Sequence, residues 1–205
     1  MKFKILAVAT AAAFCSSLAL AATPTWVDWT STTNGTLGST NVTLSGPAWD
    51  MVDGTGYYSN SATGWGATYG GLNPSDLIRV QGTGTFTLSF DHAVGSLYMS
   101  LVSVGQPNLA VTYQFNDPVS VVTQGANMWG YNGYTLNGTS FTGTEYNGIL
   151  QLSGNFGPGH SLVFSVNQPE NWHGFNVAAV PEPETYAMML AGLGMIGFMA
   201  RRRKV

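Results

Sequence analysis

Asp50 and Asp53, with Gly54 and Gly56 close behind, are the side chains of this chain best spaced for chemistry. Calcium takes several oxygen ligands on a flexible, glycine-bent loop, and an Asp-x-x-Asp-Gly-x-Gly stretch offers it two carboxylates. The spacing is not that of an EF-hand, and turns use Asp-Gly for backbone reasons alone. Calcium is one reading and a plain turn the other; no further cofactor is expected. His92, His160 and His173 stand in separate segments without paired spacing, and no cysteine accompanies them, so zinc lacks a ligand set. His173, between Trp172 and Gly174, is expected to be partly buried and to donate to a backbone carbonyl.

Around the two aspartates, Trp49, Tyr57, Tyr58, Trp65 and Tyr69 are set among Gly, Ser, Asn and Asp. Pyranose rings stack their C–H faces on exposed indoles and phenols, while amides and carboxylates bond the hydroxyls. These five rings are candidate ligand-binding residues for an extracellular polysaccharide, with Trp129 and Tyr131 as a second choice. Rings of this size also fill volume where the neighbours are Gly and Ser, so capping a core is the other reading. Support for catalysis is thin. The chain has no Gly-x-Ser-x-Gly elbow, no His-Glu-x-x-His, no phosphate loop and no dinucleotide fingerprint. Carboxylates for glycoside cleavage need to be close in space only, which scattered acids leave open. Asp91 and His92 adjoin, but strand neighbours face opposite sides, and Asp91 reads as a turn former. Arg79 is expected to pair with a carboxylate. The expectation is therefore a protein that is not an enzyme, its rivals a carbohydrate-binding module and a polysaccharide-degrading enzyme.

The elements that must position these residues read as strands. The segments 85–90, 96–101 and 109–115 alternate polar and apolar residues, as do Leu162, Phe164 and Val166 with their neighbours. Phe175 and Val177 share one face of the last segment. Period two with one apolar face predicts half-buried antiparallel strands. Asn132-Gly133, Asn137-Gly138 and Asn147-Gly148 are hairpin signals. The second predicts a pairing of 134–136 with 139–141, the third of 142–146 with 149–153. With no helical repeat in the body, the fold class is all-β: an antiparallel β-sandwich or jelly roll. The irregular stretch 46–74 is the long connection, a place where function often lies.

Composition narrows the class further. From residue 22 to 180 the only base is Arg79, against eight acids, a formal charge of −7. Nucleic-acid binding needs clustered Lys and Arg to displace counterions, so that function is excluded. Cys15 is the sole cysteine and lies near the N-terminus, so the body forms no disulfide.

Both ends read as delivery equipment. Lys2 and Lys4, an apolar stretch 5–20 and the small residues Ala19 and Ala21 make residues 1–21 a signal peptide, cut near Ala21. The body is 22–179, and 180–205 is a sorting and anchor segment. There, Val180, Pro181, Glu182 and Pro183 precede an apolar run 186–200, and Arg201, Arg202, Arg203 and Lys204 follow. Four cations in a row stop translocation and stay on the cytoplasmic side. Fifteen residues rise about 22 Å as a helix, short of a bilayer core of about 30 Å. Snorkelling arginines and the interfacial Tyr186 extend that reach, so a single C-terminal transmembrane helix is expected.

This tail resembles the PEP-CTERM sorting signal, with Val180-Pro181-Glu182-Pro183 carrying the match. The resemblance implies recognition by exosortase, a transpeptidase-like membrane protease, after export by the Sec translocon and signal peptidase. It also implies an inner-membrane-anchored precursor, then a protein at the cell surface or in an exopolysaccharide biofilm matrix. More loosely, 97–177 resembles a β-rich domain that recurs in PEP-CTERM proteins and has no assigned function.

Overall fold

Thr85, Thr87 and Ser89 alternate with Phe86, Leu88 and Phe90, and the strand they form buries the aromatic and aliphatic set while leaving the polar set at least partly exposed. The computed structural model describes residues 23–52, 76–125, 133–180, 192–196 and 199. Residues Thr23–Pro181 make one compact unit. Its strands are β1 (Asp28–Trp29), β2 (Asn34–Leu37), β3 (Thr40–Ser45), β4 (Asp50–Val52) and β5 (Leu77–Val80). Then follow β6 (Gly84–Phe90), β7 (Leu97–Val104), β8 (Val111–Phe115), β9 (Val119–Gln124) and β10 (Gly133–Asn137). The last are β11 (Ser140–Thr144), β12 (Tyr146–Leu152), β13 (Leu162–Val166) and β14 (His173–Ala179).

Two antiparallel sheets result. One has the order β1-β2-β3-β6-β13-β8-β11-β10, the other β4-β5-β14-β7-β12-β9. From β5 to β8 the chain alternates between the sheets, and from β11 to β14 it does so again. Hence β5, β14, β7 and β12 lie side by side in one sheet and β6, β13, β8 and β11 in the other. The sheets share one apolar core. Phe164 of β13 stacks on Phe86 of β6 at 5.0 Å and meets Phe175 of β14 edge-on at 5.3 Å. The antiparallel all-β expectation therefore holds for the body.

Three details depart from the alternation. β7 and β14 are buried on both faces instead of one, because Leu77, Val102 and Ile149 gather on the far side of their sheet with Trp26, Tyr98, Val122 and Trp172. The Asn137-Gly138 hairpin forms, but its loop is Gly138-Thr139, with Asn137 opposite Ser140 and Leu136 opposite Phe141. Gly138, at φ +62°, supplies the left-handed residue, so Asn137 remains in the ladder. Asn147-Gly148 makes no hairpin at all. Both residues lie inside β12, and the corner falls at Glu145, φ +60°, where the chain leaves β11 for the other sheet. Glycine is needed at 148 for space: a Cβ there would stand 2.2 Å from the Thr123 carbonyl oxygen.

The other unit consists of 1–22 and 182–205, where residues 192–196 and 199 are helical. Leu193, Met195, Ile196 and Met199 are exposed on it. No helix among the described residues is long and apolar enough to cross a membrane. Residues 1–21, expected to be a signal peptide, lie outside them.

Candidate functional site: the exit of β14 and a buried carboxylate cluster

β14 is the last strand of the body and an inner one. It pairs with β7 along Gly174–Ala179 on one side and with β5 along His173–Phe175 on the other. Where β5 stops, the N-terminal segment takes over: Val27 N–H donates to the Val177 carbonyl at 2.8 Å, and Trp26 bridges to Ala178. The ladder runs to Val180, whose N–H donates to Ser96 O at 2.9 Å. Val180 is half-buried. Pro181, Glu182, Pro183, Arg201, Arg202, Arg203 and Lys204 lie outside the described residues, so only the first residue of the sorting box has a described position.

Of the aromatic candidates, Trp49 alone is described; Tyr57, Tyr58, Trp65, Tyr69, Trp129 and Tyr131 lie outside. Trp49 is 48% exposed, and the Arg79 guanidinium sits 4.5 Å over its ring. Arg79 also grips Asp50 with two nitrogens, Nε donating to Oδ1 at 2.6 Å and Nη2 to Oδ2. The expected carboxylate partner of the sole base is thus Asp50, on the neighbouring strand, where Asp50 faces Arg79 in register. The first of the two calcium candidates is therefore already held by a cation, and the second, Asp53, lies outside the described residues. Among the described residues no group of three His, Cys, Asp or Glu side chains is placed to hold a metal ion.

Pattern reading missed the cluster in which β7, β8, β12 and β14 meet the loops beside them. Ser103 Oγ donates to Glu145 Oε1 at 2.5 Å, and Ser103 N–H donates to Asn147 Oδ1 at 3.0 Å. Glu170 Oε1 accepts the Gly105 N–H at 3.0 Å and pairs with His173 Nδ1. The Tyr113 ring meets the His173 ring edge-on at 5.4 Å. Tyr113 Oη, Glu170 Oε2 and His173 Nε2 have no hydrogen-bond partner among the described residues. His173 is thus fully buried and paired with a carboxylate, a correction to the partly buried, carbonyl-bonded histidine expected. The reason is position: an inner strand covered on both faces leaves its first side chain no water, and Glu170 lies three residues upstream. Burial pushes the Glu145 carboxyl above its ordinary range, against the Ser103 hydrogen bond, and the nearby Glu170 adds to the rise. Burial, with Glu170 beside it, likewise raises the Tyr113 phenol.

Asp91 and Asp117 tie segments nearer the surface. Asp91 accepts the Asn41 N–H at 2.8 Å and the Asn41 amide at 2.6 Å, and these bonds, with His92, lower its carboxyl. Asp91 is indeed a turn residue, but His92 Nδ1 lies 2.7 Å from its Oδ1, so the two do meet. Past the end of β6 the strand rule of opposite faces no longer applies. His160 pairs with Asp117 at 3.0 Å. Glu145 and Glu170, the acids whose charges act on one another, are interior and not set across an open cleft.

No curated protein and no solved structure matches the chain. The family model for the PEP-CTERM protein-sorting motif matches residues 179–204, beginning at the last residue of β14. The chain thus carries a PEP-CTERM protein-sorting motif at its C-terminal end, and this motif implies an exported protein sorted by exosortase from a membrane-anchored precursor.

Proposed function

We propose that the body Thr23–Pro181 is non-enzymatic cargo: a jelly-roll β-sandwich delivered by its tail to the cell surface or the exopolysaccharide matrix. The observation that carries this reading is the place where the motif begins. Among the described residues, β14 ends at Ala179 and the last hydrogen bond of the body is made by Val180, so the motif begins where the described fold ends. The apolar side chains Leu193, Met195, Ile196 and Met199 suit a lipid environment. The alternation of eight strands between two sheets is the order of a jelly roll. A body with one base and eight acids, its described carboxylates largely bonded to neighbouring groups, suits a soluble matrix component better than a catalyst.

In this account the Sec translocon and signal peptidase export the chain, the short tail helix holds it in the inner membrane, and exosortase removes the tail. Proline resists helical pairing and keeps the residue before it extended, which presents 180–183 to a protease. Replacing Pro181, Glu182 and Pro183 with alanine should leave an uncut, membrane-bound precursor. Mature protein appearing at the wild-type size and rate would refute recognition through this box.

The exposed Trp49 favours a second reading, a carbohydrate-binding module. Binding to the producer's own polysaccharide that is lost in Trp49→Ala or Trp65→Ala, with the fold intact, would establish it.

A further inference from the structure

Resting on the sorting reading above, the structure points to something further: the fold itself sets the upstream limit of tail cleavage. We infer that residues up to Val180 remain in the sheet while the tail is removed, and that the mature N-terminus is the clamp that holds them there.

Trp26 and Ala178 face each other as an isolated antiparallel bridge, and Val27 N–H donates to Val177 O. Continuing that register sets Pro24 level with Val180. The first described residues of the body therefore run beside its last. On the opposite edge, Ala179 pairs with Leu97 and Val180 N–H is taken by Ser96. Val177 and Ala178 thus have neighbours on both edges, Ala179 and Val180 on the β7 side, and Val177 and Ala178 are fully buried. A protease binds its substrate as an extended strand whose backbone groups are free, whereas 177–179 are paired in the sheet and the Val180 N–H is taken by Ser96. The first stretch that can enter an active site begins at Pro181, the second residue of the sorting box. The bond broken is then a peptide bond beyond Val180. Its acyl carbon passes to water or to an amine acceptor, and the tail leaves with a new amino terminus.

Two consequences separate this clamp from a passive end. The body must fold before the tail is cut, and both ends can be membrane-tethered during folding because Trp26 and Val27 lie beside Val177 and Ala178 on the sheet. A cross-link between the termini should be compatible with processing.

The test joins Trp26→Cys to Ala178→Cys. The flanking bond from Val27 to Val177 makes this a non-hydrogen-bonded pair, with Cα atoms about 4.5 Å apart, inside the range a disulfide spans. The mature body has no other cysteine to compete. The expected result is an extracellular protein lighter by two hydrogens than its dithiol form, cut at the wild-type bond and at the wild-type rate. Accumulation of an oxidised, uncut precursor would overturn the inference, since β14 would then have to leave the sheet to be cut. So would a wild-type mature C-terminus at or before Val180. If the disulfide fails to form, the Trp26–Ala178 bridge is absent in solution and the clamp falls with it. Val27→Pro, which removes the donor to Val177, should yield additional C-termini upstream of Pro181; a single unchanged terminus would count against the clamp. A wild-type chain that is never cut would instead refute the sorting reading, and the mass distinguishes the two failures.

Discussion

Ser103 and Glu145 both hold a left-handed backbone, φ +56° and +60°, and the hydroxyl of the first donates to the carboxylate of the second at 2.5 Å. The pair sits where β7 carries a bulge: between Leu101, opposite Gly148, and Val104, opposite Tyr146, two residues of β7 face one of β12. Without the extra residue, Val104 would point away from the core that Leu97, Met99 and Leu101 enter; with it, all four are buried in that core. A serine at positive φ costs about 1–2 kcal/mol, and its bonds to Glu145 and Asn147 offset that strain.

Ser103→Ala keeps the strain and loses the hydroxyl bond, so it should destabilise the body by about 2 kcal/mol. Ser103→Gly loses the same bond but relieves the backbone and should cost about 1 kcal/mol less. Urea unfolding of the two variants measures the difference. Equal losses would mean that Ser103 is unstrained.

Glu145 gives a pH dependence of definite sign. Its carboxyl is raised in the folded body, chiefly by burial, so its contribution is complete at low pH and is lost as pH rises through the folded value. Wild-type protein should therefore lose stability above the ordinary glutamate range, and Glu145→Gln should lose less. Melting temperatures taken between about pH 4 and pH 8 test this; parallel curves for the two proteins would contradict it.

Glu170 and His173 should behave as a unit. Either Glu170→Ala or His173→Ala leaves a buried partner stranded, at a cost of about 2–4 kcal/mol. Removing both should cost clearly less than the two single losses together, and a double-mutant cycle reads that coupling. Additive losses would show that the pair is not a pair.

How much of this was legible beforehand follows the physics of each signal. β6, β8 and β13 are half-buried strands, and period two marks them directly in Phe86, Leu88, Tyr113, Phe115 and Phe164. Burial of both faces of β7 and β14 depends on which strands end up inside the sheet, and no local pattern carries that. Asn-Gly at 137–138 has the turn it advertises. The same dipeptide at 147–148 serves close packing, because Gly148 lies against Thr123 and the Asn147 side chain is taken by Ser103. The buried cluster was invisible for a related reason: Ser103 and Glu145 are 42 residues apart and meet only once two sheets have formed. Arg79 was the exception, since a lone cation among eight acids must find one, and Asp50 is its partner. The sorting tail, a linear signal read without a fold, was plain from its residues alone.

Intact mass spectrometry of the protein recovered outside the cell tests the delivery account most directly. The account predicts a chain beginning near Ala22 and lacking the apolar run and the four terminal cations. A secreted form that still carries Arg201 to Lys204 would contradict it.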